Sequence, residues 1–182
     1  ELVRRIGFIL RYLPRWMVRE KKEGKKFAGP TWEATTMTVV FTHPGKEPST
    51  FTSMSSGPDS GRSFTASLVI LDEWAFQQWA REIWSAAYPT VNRPSGGQVI
   101  GLSTAKRGTL FEEIWDGAPE NGFTPVFLPW NADPRRNIEW YEKTKKALPG
   151  TYRSEYPSTP EEAFMYAENT VFDIEKVLER KK

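Results

Sequence analysis

Two short apolar runs constrain the fold of this chain more strongly than any other feature of its sequence. The first, Ser67–Leu71, reads SLVIL, and the second, Gln98–Ser103, reads QVIGLS. Continuous apolar runs of this kind are typical of strands that are buried on both faces of a sheet. The segment between them, Trp74–Tyr88, has an aromatic-rich pattern that predicts a helix. Strand, helix and strand in this order predict an α/β domain whose parallel sheet lies between helices.

Weaker patterns place the other elements. Before the first run, β-branched and aromatic residues predict two strands that are joined by turn residues into a hairpin. These strands are Thr36–Phe41 and Ser49–Met54. Further along we expect one more strand, Thr124–Leu128, and three helices: Thr109–Trp115, Trp140–Ala147 and Pro160–Tyr166.

The composition excludes several classes of protein. The 182 residues fit one domain, and 14% aromatic residues supply the apolar area for a core. The absence of cysteine excludes disulfide scaffolds, cysteine-based zinc sites and thiol catalysis. The single histidine, His43, lies in a turn pattern and argues against a Ser-His-Asp triad. No apolar stretch approaches the roughly 20 residues of a membrane span, so we expect a soluble intracellular protein with no membrane partner.

The first 26 residues carry a separate signal. They contain nine basic and three acidic side chains, which gives a net charge of +6. Val3, Ile6, Leu10, Leu13 and Met17 recur at helical spacing and predict an amphipathic helix, in which Pro14 favours a kink or a break after Leu13. Its basic face has two interpretations, a solvated helix surface or a contact with a nucleic-acid phosphate backbone.

Two acidic residues, Asp72 and Glu73, directly follow the first apolar run. In an open α/β sheet, ligands bind outside the carboxyl ends of the strands. Asp72 could hold the water shell of a Mg²⁺ ion there while Glu73 polarises an attacking water, because neighbouring side chains point in different directions. The alternative is that Asp72 only caps a helix that begins at Trp74.

Small hydroxyl residues follow the second apolar run. Ser103 and Thr104 could hydrogen-bond a phosphate, a bound water or Glu73, and their small size would let the loop move when the ligand changes. The basic pair Lys106 and Arg107 comes next. The alternative is an ordinary turn between a strand and a helix.

The combination is more specific than either part. An acidic pair ends one buried strand and Ser-Thr-Ala ends the next, which is the order seen in P-loop motor ATPases. Five further segments carry the same resemblance: Gly61–Ala66, Tyr88–Thr90, Gly108–Trp115, Ser154–Phe164 and Val171–Asp173. From about Val39 to Asp173, the chain resembles the large terminase subunit of tailed bacteriophages, the motor that pumps DNA into the procapsid.

The resemblance implies a fold and a set of residue roles. The fold would be α/β and P-loop NTPase-like, with a mostly parallel sheet sandwiched by helices. The acidic pair would be a Walker B motif, in which Asp72 holds Mg²⁺ and Glu73 is the catalytic glutamate. Arg62 matches an arginine that some relatives insert into a neighbouring subunit's site. The alternative interpretation is that Arg62 is a loop arginine that only makes an ion pair on the surface. The coupling motif, which senses the γ-phosphate, would be Ser103, Thr104 and Ala105.

The resemblance also implies cofactors, partners and a location. The protein would bind ATP with Mg²⁺ and use hydrolysis to move DNA. Its partners would be double-stranded DNA, the portal protein, the small terminase subunit and sister large subunits in a homo-oligomeric ring. It would lie in the host cytoplasm, dock transiently on the procapsid and not be secreted.

The sequence departs from the family pattern at both ends. A Walker A motif, G-x-x-x-x-G-K-S/T, is absent, and the nearest candidate, Glu23–Lys26, lacks the first glycine and the hydroxyl. We therefore expect a fragment that is inactive alone and incomplete because its N-terminal phosphate-loop part is missing. Residues 1–150 would be the C-terminal part of the ATPase domain. Residues 151–182 would be a linker toward a nuclease domain that is absent.

Two other functions remain open. A degenerate ATPase could act as a nucleic-acid-binding or assembly module without catalysis, with the basic N-terminal helix as its working surface. A helicase-like ATPase outside the packaging family could also carry an acidic pair and Ser-Thr-Ala, but Glu161–Phe164 and Val171–Asp173 argue against it. The Trp-rich face of residues 74–84 is interpreted as core or as a contact with a missing subdomain.

Overall fold

The computed structural model describes residues 1–21, 27–62 and 64–166. The chain divides into two compact units, Glu1–Ser55 and Ser56–Lys182. This division does not test the expected boundary after residue 150, which stays a prediction. The Glu23–Lys26 segment and the Val171–Asp173 motif lie outside the described residues.

The first unit combines one helix with a four-stranded sheet. Its elements are α1 (Leu2–Tyr12), β1 (Arg19–Glu20), β2 (Thr31–Ala34), β3 (Thr38–Thr42) and β4 (Ser49–Thr52). The strands lie in the order β1-β2-β3-β4, with β1 parallel to β2 and the other neighbours antiparallel. The core of this unit is formed by Val3, Leu10, Val18, Trp32 and Val39.

Both sequence predictions for this unit are confirmed. Helix α1 buries Val3 and Leu10, and Leu13 is already extended, because a residue that precedes proline is disfavoured in the helical conformation. Strands β3 and β4 form the predicted hairpin. Strands β1 and β2 were not predicted, since β1 has only two residues and β2 carries an acid, Glu33, among its four.

The second unit is built around two parallel strands. Its strands are β5 (Leu68–Leu71) and β6 (Gln98–Gly101), and a 3₁₀ turn, Trp74–Phe76, follows β5. The remaining elements are α2 (Ala80–Val91), α3 (Leu110–Asp116), a second 3₁₀ turn (Trp130–Ala132), α4 (Ile138–Ala147), α5 (Tyr152–Glu155) and α6 (Pro160–Met165). Leu68 lies opposite Gln98 and Leu71 opposite Gly101, so both strands end together. The α/β class and the strand–helix–strand order are thus confirmed.

One face of the β5–β6 pair forms the core of the second unit. Leu71, Trp74, Ile83 and Leu110 are buried together, and Val69 packs against them. The opposite face is open: Leu68, Ile70, Ile100 and Leu102 are 45%, 49%, 37% and 49% exposed. Burial of both faces, as the apolar runs predicted, is therefore wrong for the described residues. Side chains alternate along a strand, and the helices of this unit cover one side only.

Three other predictions need correction. The mostly parallel, helix-sandwiched sheet is not found as one sheet, because the described strands form two sheets and two of their four pairings are antiparallel. The segment Thr124–Leu128 pairs with no strand in the described part of the chain, and Val126 and Leu128 are largely exposed. The expected helix from Trp74 to Tyr88 is interrupted between the 3₁₀ turn and α2, where Gln77 is extended.

The helix starts follow the sequence closely. Thr109 and Asn137 accept hydrogen bonds from the third backbone N–H of α3 and α4. At α6, Thr159 accepts from the Glu162 N–H while Glu162 Oε2 accepts from the Ser158 N–H, an arrangement close to a capping box that is shifted by one residue. Among the described residues, no helix has the length and apolar character needed to cross a membrane.

Candidate active site

The backbone is strained at Glu73. With φ 48° and ψ 43°, Glu73 is the one non-glycine residue with positive φ in the part of the chain that the structure describes. A left-handed conformation costs a residue with a Cβ about 1–2 kcal/mol. Such outliers persist only where the surroundings fix them, and they cluster at functional sites. Glu73 is therefore a candidate on structural grounds that are independent of its sequence motif.

The end of β6 holds the turn that follows Glu73. The Leu102 carbonyl accepts a hydrogen bond of 3.0 Å from the Trp74 N–H. One residue on, Ser103 Oγ accepts a hydrogen bond of 3.1 Å from the Ala75 N–H. The two strand ends that the sequence singled out are thus joined directly, through backbone groups that lie next to the candidate catalytic residue.

The acidic pair itself is open to solvent. The side chains of Asp72 and Glu73 both belong to exposed residues at the carboxyl end of β5. Asp72 Oδ1 accepts from the neighbouring Glu73 N–H at 3.1 Å and not from an N–H of the 3₁₀ turn. Glu73, the residue just before that turn, does not cap it with its side chain either. The alternative role of Asp72 as a helix cap is therefore wrong, since Ser103 supplies the hydroxyl that serves the turn.

A tryptophan anchors this turn in the core. Trp74 is 1% exposed and contacts the rings of Trp84, Phe111 and Phe123 at centroid distances of 5.3, 6.2 and 6.2 Å. A Cβ at Gly101 would lie 2.5 Å from a ring carbon of Trp74, so only glycine lets the indole lie against β6. The interpretation of Trp74 as a core residue is confirmed.

The loop after β6 folds back onto α3. The Gly108 N–H donates to Glu112 Oε2 at 2.7 Å, and the Thr109 hydroxyl donates to the Lys106 carbonyl at 2.8 Å. Thr104 is exposed and Ala105 is half-buried, directly beside Ser103. Both ends of this loop are therefore fixed, while Thr104 remains available to a ligand.

Arg62 lies on an exposed loop. Its Nε is 3.5 Å from Asp59 Oδ1, and both side chains are largely exposed. Among the described residues, no hydrogen bond or ion pair joins Arg62 to Asp72 or Glu73. The structure thus brings together the acidic pair and Ser103, whereas Arg62 makes a surface ion pair within its own loop.

The donor set at the acidic pair suits magnesium. The described residues contain no cluster of three or more histidine or acidic side chains that could bind a metal by themselves. Mg²⁺ commonly keeps several waters and takes only one or two carboxylates besides substrate phosphates. Asp72, at the end of β5 with its carboxylate in solvent, fits that requirement.

Two contributors were missed from the sequence. Gln77 Nε2 donates a 2.7 Å hydrogen bond to the Asp72 carbonyl and so returns to the strand end. Gly101 makes room for Trp74. A glycine inside an apolar run is a signal of close approach, but nothing in the local pattern marks Gln77, whose partner is a backbone atom.

Solved structures supply the comparison. The chain is similar to the large terminase ATPase domain of Thermus phage P74-26, with 26% sequence identity and a TM-score of 0.53. A mutant of that domain, with one arginine replaced by alanine, matches with 24% identity and a TM-score of 0.52. In both cases the match covers 72% of this chain and 64% of that chain.

The comparison confirms the resemblance that the motifs predicted. The fold of this chain is similar to that of a phage large terminase ATPase domain, and the chain spans 64% of that domain's length. No protein-family model and no curated protein matches the sequence.

Proposed function

We propose that this chain is part of the ATPase domain of a large-terminase motor, which couples ATP hydrolysis to the translocation of double-stranded DNA into a procapsid. Its structural likeness to a phage terminase ATPase domain supports this function. The observation that carries it is the hydrogen bond from the Ala75 N–H to Ser103 Oγ, beside the strained Glu73. A coupling motif needs a connection to the catalytic segment, and this bond joins Ser103 to the turn that follows Glu73.

The acidic pair would be the Walker B motif. Asp72 would hold Mg²⁺, which would neutralise charge on the phosphates of ATP. Glu73 would accept a hydrogen bond from the attacking water and orient it in line with the γ-phosphate. Both residues directly follow β5, which is paired with β6, so their carboxylates lie at the same edge of the strand pair as the Ser103–Ala105 loop.

Ser103, Thr104 and Ala105 would form the coupling motif. Exposed Thr104 would contact the γ-phosphate, and the loss of that phosphate would shift the loop. Since Ser103 Oγ bonds the Ala75 N–H, the same shift would pull on the turn that follows Glu73. A shift of the loop after β6 on hydrolysis would thereby displace the turn after β5.

Arg62 would act in a neighbouring subunit of the ring. Its ion pair with Asp59 is exposed on both sides, and such pairs contribute only about 0–1 kcal/mol. The guanidinium could therefore leave Asp59 for a phosphate at little cost. An arginine supplied in this way is worth about 10³–10⁵ in rate.

The open face of the β5–β6 pair would be covered in the full-length polypeptide. Leu68, Ile70, Ile100 and Leu102 are the side chains that a P-loop NTPase-like sheet would bury. The covering elements would include the phosphate loop that this sequence lacks. The partners would be double-stranded DNA, the portal protein, the small terminase subunit and sister subunits, and the complex would lie in the host cytoplasm on the procapsid.

The test is Glu73→Gln in the full-length natural polypeptide that carries this sequence. We expect ATP turnover to fall by about 10²–10⁴-fold, while ATP binding is kept, because the amide retains shape and loses the negative charge. Glu82→Gln, on the exposed side of α2, is the matched control. Unchanged turnover in Glu73→Gln would exclude this function.

One observation favours a second candidate, a nucleic-acid-binding module. On α1, Phe8 and Tyr12 are exposed and in ring contact at 4.7 Å, and Trp16 is 76% exposed after the helix. Exposed aromatic rings beside arginines are typical of single-strand binding surfaces. DNA binding that weakens steeply with salt, is lost in Tyr12→Ala and does not respond to ATP would favour this candidate.

A further inference from the structure

The amide of Gln77 contacts the backbone of the acidic pair. It is half-buried between the 3₁₀ turn and α2, and its Nε2 donates to the Asp72 carbonyl at 2.7 Å. Its Oε1 is buried and has no hydrogen-bond partner among the residues that the structure describes. An unpaired buried oxygen is unfavourable, so packing alone does not account for a glutamine at this position.

The hydrogen bond from Gln77 to the Asp72 carbonyl matters because this carbonyl belongs to the peptide group before Glu73. The peptide group before Glu73 is fixed on both sides: its carbonyl accepts from Gln77, and its N–H donates to Asp72 Oδ1 at 3.1 Å. The peptide group after Glu73 is fixed as well, since its carbonyl accepts from the Phe76 N–H at 2.9 Å and its N–H donates to the Leu102 carbonyl at 3.0 Å. Two fixed peptide planes leave the residue between them no freedom in φ and ψ.

We propose that Gln77 is a positioning residue for Glu73. Its amide holds the preceding peptide plane and so keeps Glu73 in the left-handed conformation that aims its carboxylate. When this hydrogen bond is removed, the strain at Glu73 is released, and the turn tied to Leu102 and Ser103 opens. Only the catalytic consequence of this inference rests on the function proposed above.

The first test uses this chain and needs no nucleotide. Gln77→Met keeps the length of the side chain but removes its donor, and Gln78→Met at the exposed neighbour is the matched control. We expect amide hydrogen exchange at Trp74 and Ala75 to accelerate by about tenfold in Gln77→Met, as the loss of one hydrogen bond allows. Exchange in Gln78→Met should not change. Gln77→Leu is a second variant without a donor and should behave like Gln77→Met.

A second background separates positioning from packing. In Glu73→Gly, the left-handed conformation carries no strain, so little is released when the donor is removed. There we expect Gln77→Met to accelerate the same amides by less than about threefold. Equal acceleration in both backgrounds, or none in either, would overturn the inference.

The catalytic consequence is measured in the full-length polypeptide. Gln77→Met should lower kcat for ATP hydrolysis by about tenfold or more with KM unchanged, because a misaimed carboxylate affects the chemical step and leaves binding intact. A change in KM alone would contradict the positioning role. If Glu73→Gln leaves turnover intact, the proposed function fails, while the exchange measurements still decide the role of Gln77.

Discussion

The left-handed backbone of Glu73 is the strongest signal in this structure at the scale of one residue. No sequence pattern predicted it, because glutamate rarely adopts positive φ. Hydrogen bonds with the neighbouring turn, Asp72 and Leu102 hold both adjacent peptide groups. The acidic pair was predictable from the sequence as a motif, whereas the aim of its second carboxylate was not.

Strain at this residue predicts an unusual order of stability. Glu73→Gly should be more stable to urea than Glu73→Ala by about 1 kcal/mol, because glycine adopts positive φ freely. The matched control is the same pair at Glu82 in α2, where alanine should be the more stable by about 1 kcal/mol. The usual order, with alanine favoured at both positions, would show that position 73 is not strained.

Asp133 provides a second prediction at this scale. Side-chain hydrogen bonds from Arg135 to both carboxylate oxygens, aided by the Arg135 backbone N–H, hold the pKa of Asp133 well below its usual range. A depressed folded pKa means that this stabilisation is present above the unfolded pKa of about 3.9 and is lost as pH falls through the folded pKa. We expect NMR to show that the Asp133 carboxylate titrates at a lower pH than an aspartate without such hydrogen bonds.

The matched variants for this titration are Arg135→Ala and Arg136→Ala. Arg135→Ala should raise the pKa of Asp133 toward its usual range. Arg136→Ala should raise it much less, because Arg136 acts on Asp133 through charge alone. Equal shifts in the two variants would contradict the assigned hydrogen bonds.

At the scale of elements, the contact between the 3₁₀ turn and β6 organises the second unit. Trp74 packs against Gly101, and the backbone of the same turn bonds Leu102 and Ser103. The sequence predicted both strands, since the apolar runs are unambiguous. It did not predict the break in the expected Trp74–Tyr88 helix, because the turn is fixed by β6, which is distant along the chain.

The close approach of these two elements predicts a cost for a small substitution. Gly101→Ala would place a Cβ within 2.5 Å of the Trp74 ring, so the free energy of unfolding should fall by about 1–3 kcal/mol. The fluorescence of Trp74 should change with it. Gly57→Ala is the control, because a Cβ there would meet Ser60 Oγ at an ordinary 3.5 Å. Equal stability of the two variants would mean that the indole can move aside.

At the scale of the whole chain, the exposed face of the β5–β6 pair is the feature that sequence reasoning got wrong. Leu68, Ile70 and Ile100 are as apolar as the core side chains and lie in the same continuous apolar runs. Hydrophobicity shows that a residue favours burial, but only the arrangement of the helices decides which face is covered. The unpaired segment Thr124–Leu128 failed as a strand for a related reason, since a strand forms only where another strand offers backbone partners.

This face predicts a difference between two contexts. In this chain, Ile70→Thr should change the free energy of unfolding by no more than about 0.5 kcal/mol, because the side chain is half-exposed. In the full-length polypeptide, where we propose that the face is covered, the same change should cost about 1–3 kcal/mol. Leu71→Ala, in the core, should cost about 2–5 kcal/mol in both contexts. A small effect of Ile70→Thr in both would mean that the face stays open.

The sequence by itself determined the local features of this protein. It determined the amphipathic helix α1, the hairpin of β3 and β4 and the parallel strands β5 and β6. It also determined the capped starts of the helices and the acidic pair that precedes a Ser-Thr-Ala loop. These follow from hydrophobic period, turn chemistry and capping, which act between residues close in the chain. The resemblance to large terminases also came from the sequence, and structural comparison confirmed it.

The tertiary structure alone decided how the candidate site is held. It joined Ser103 to Ala75, placed Gln77 on the Asp72 carbonyl, fixed Glu73 in a left-handed conformation and left one face of β5–β6 open. The first three depend on backbone groups that meet their partners only in the folded chain, and the last depends on where the helices pack. A backbone N–H or carbonyl has the same chemistry at every residue. A sequence records side chains, so the backbone contacts that aim a catalytic group are set only when the chain folds.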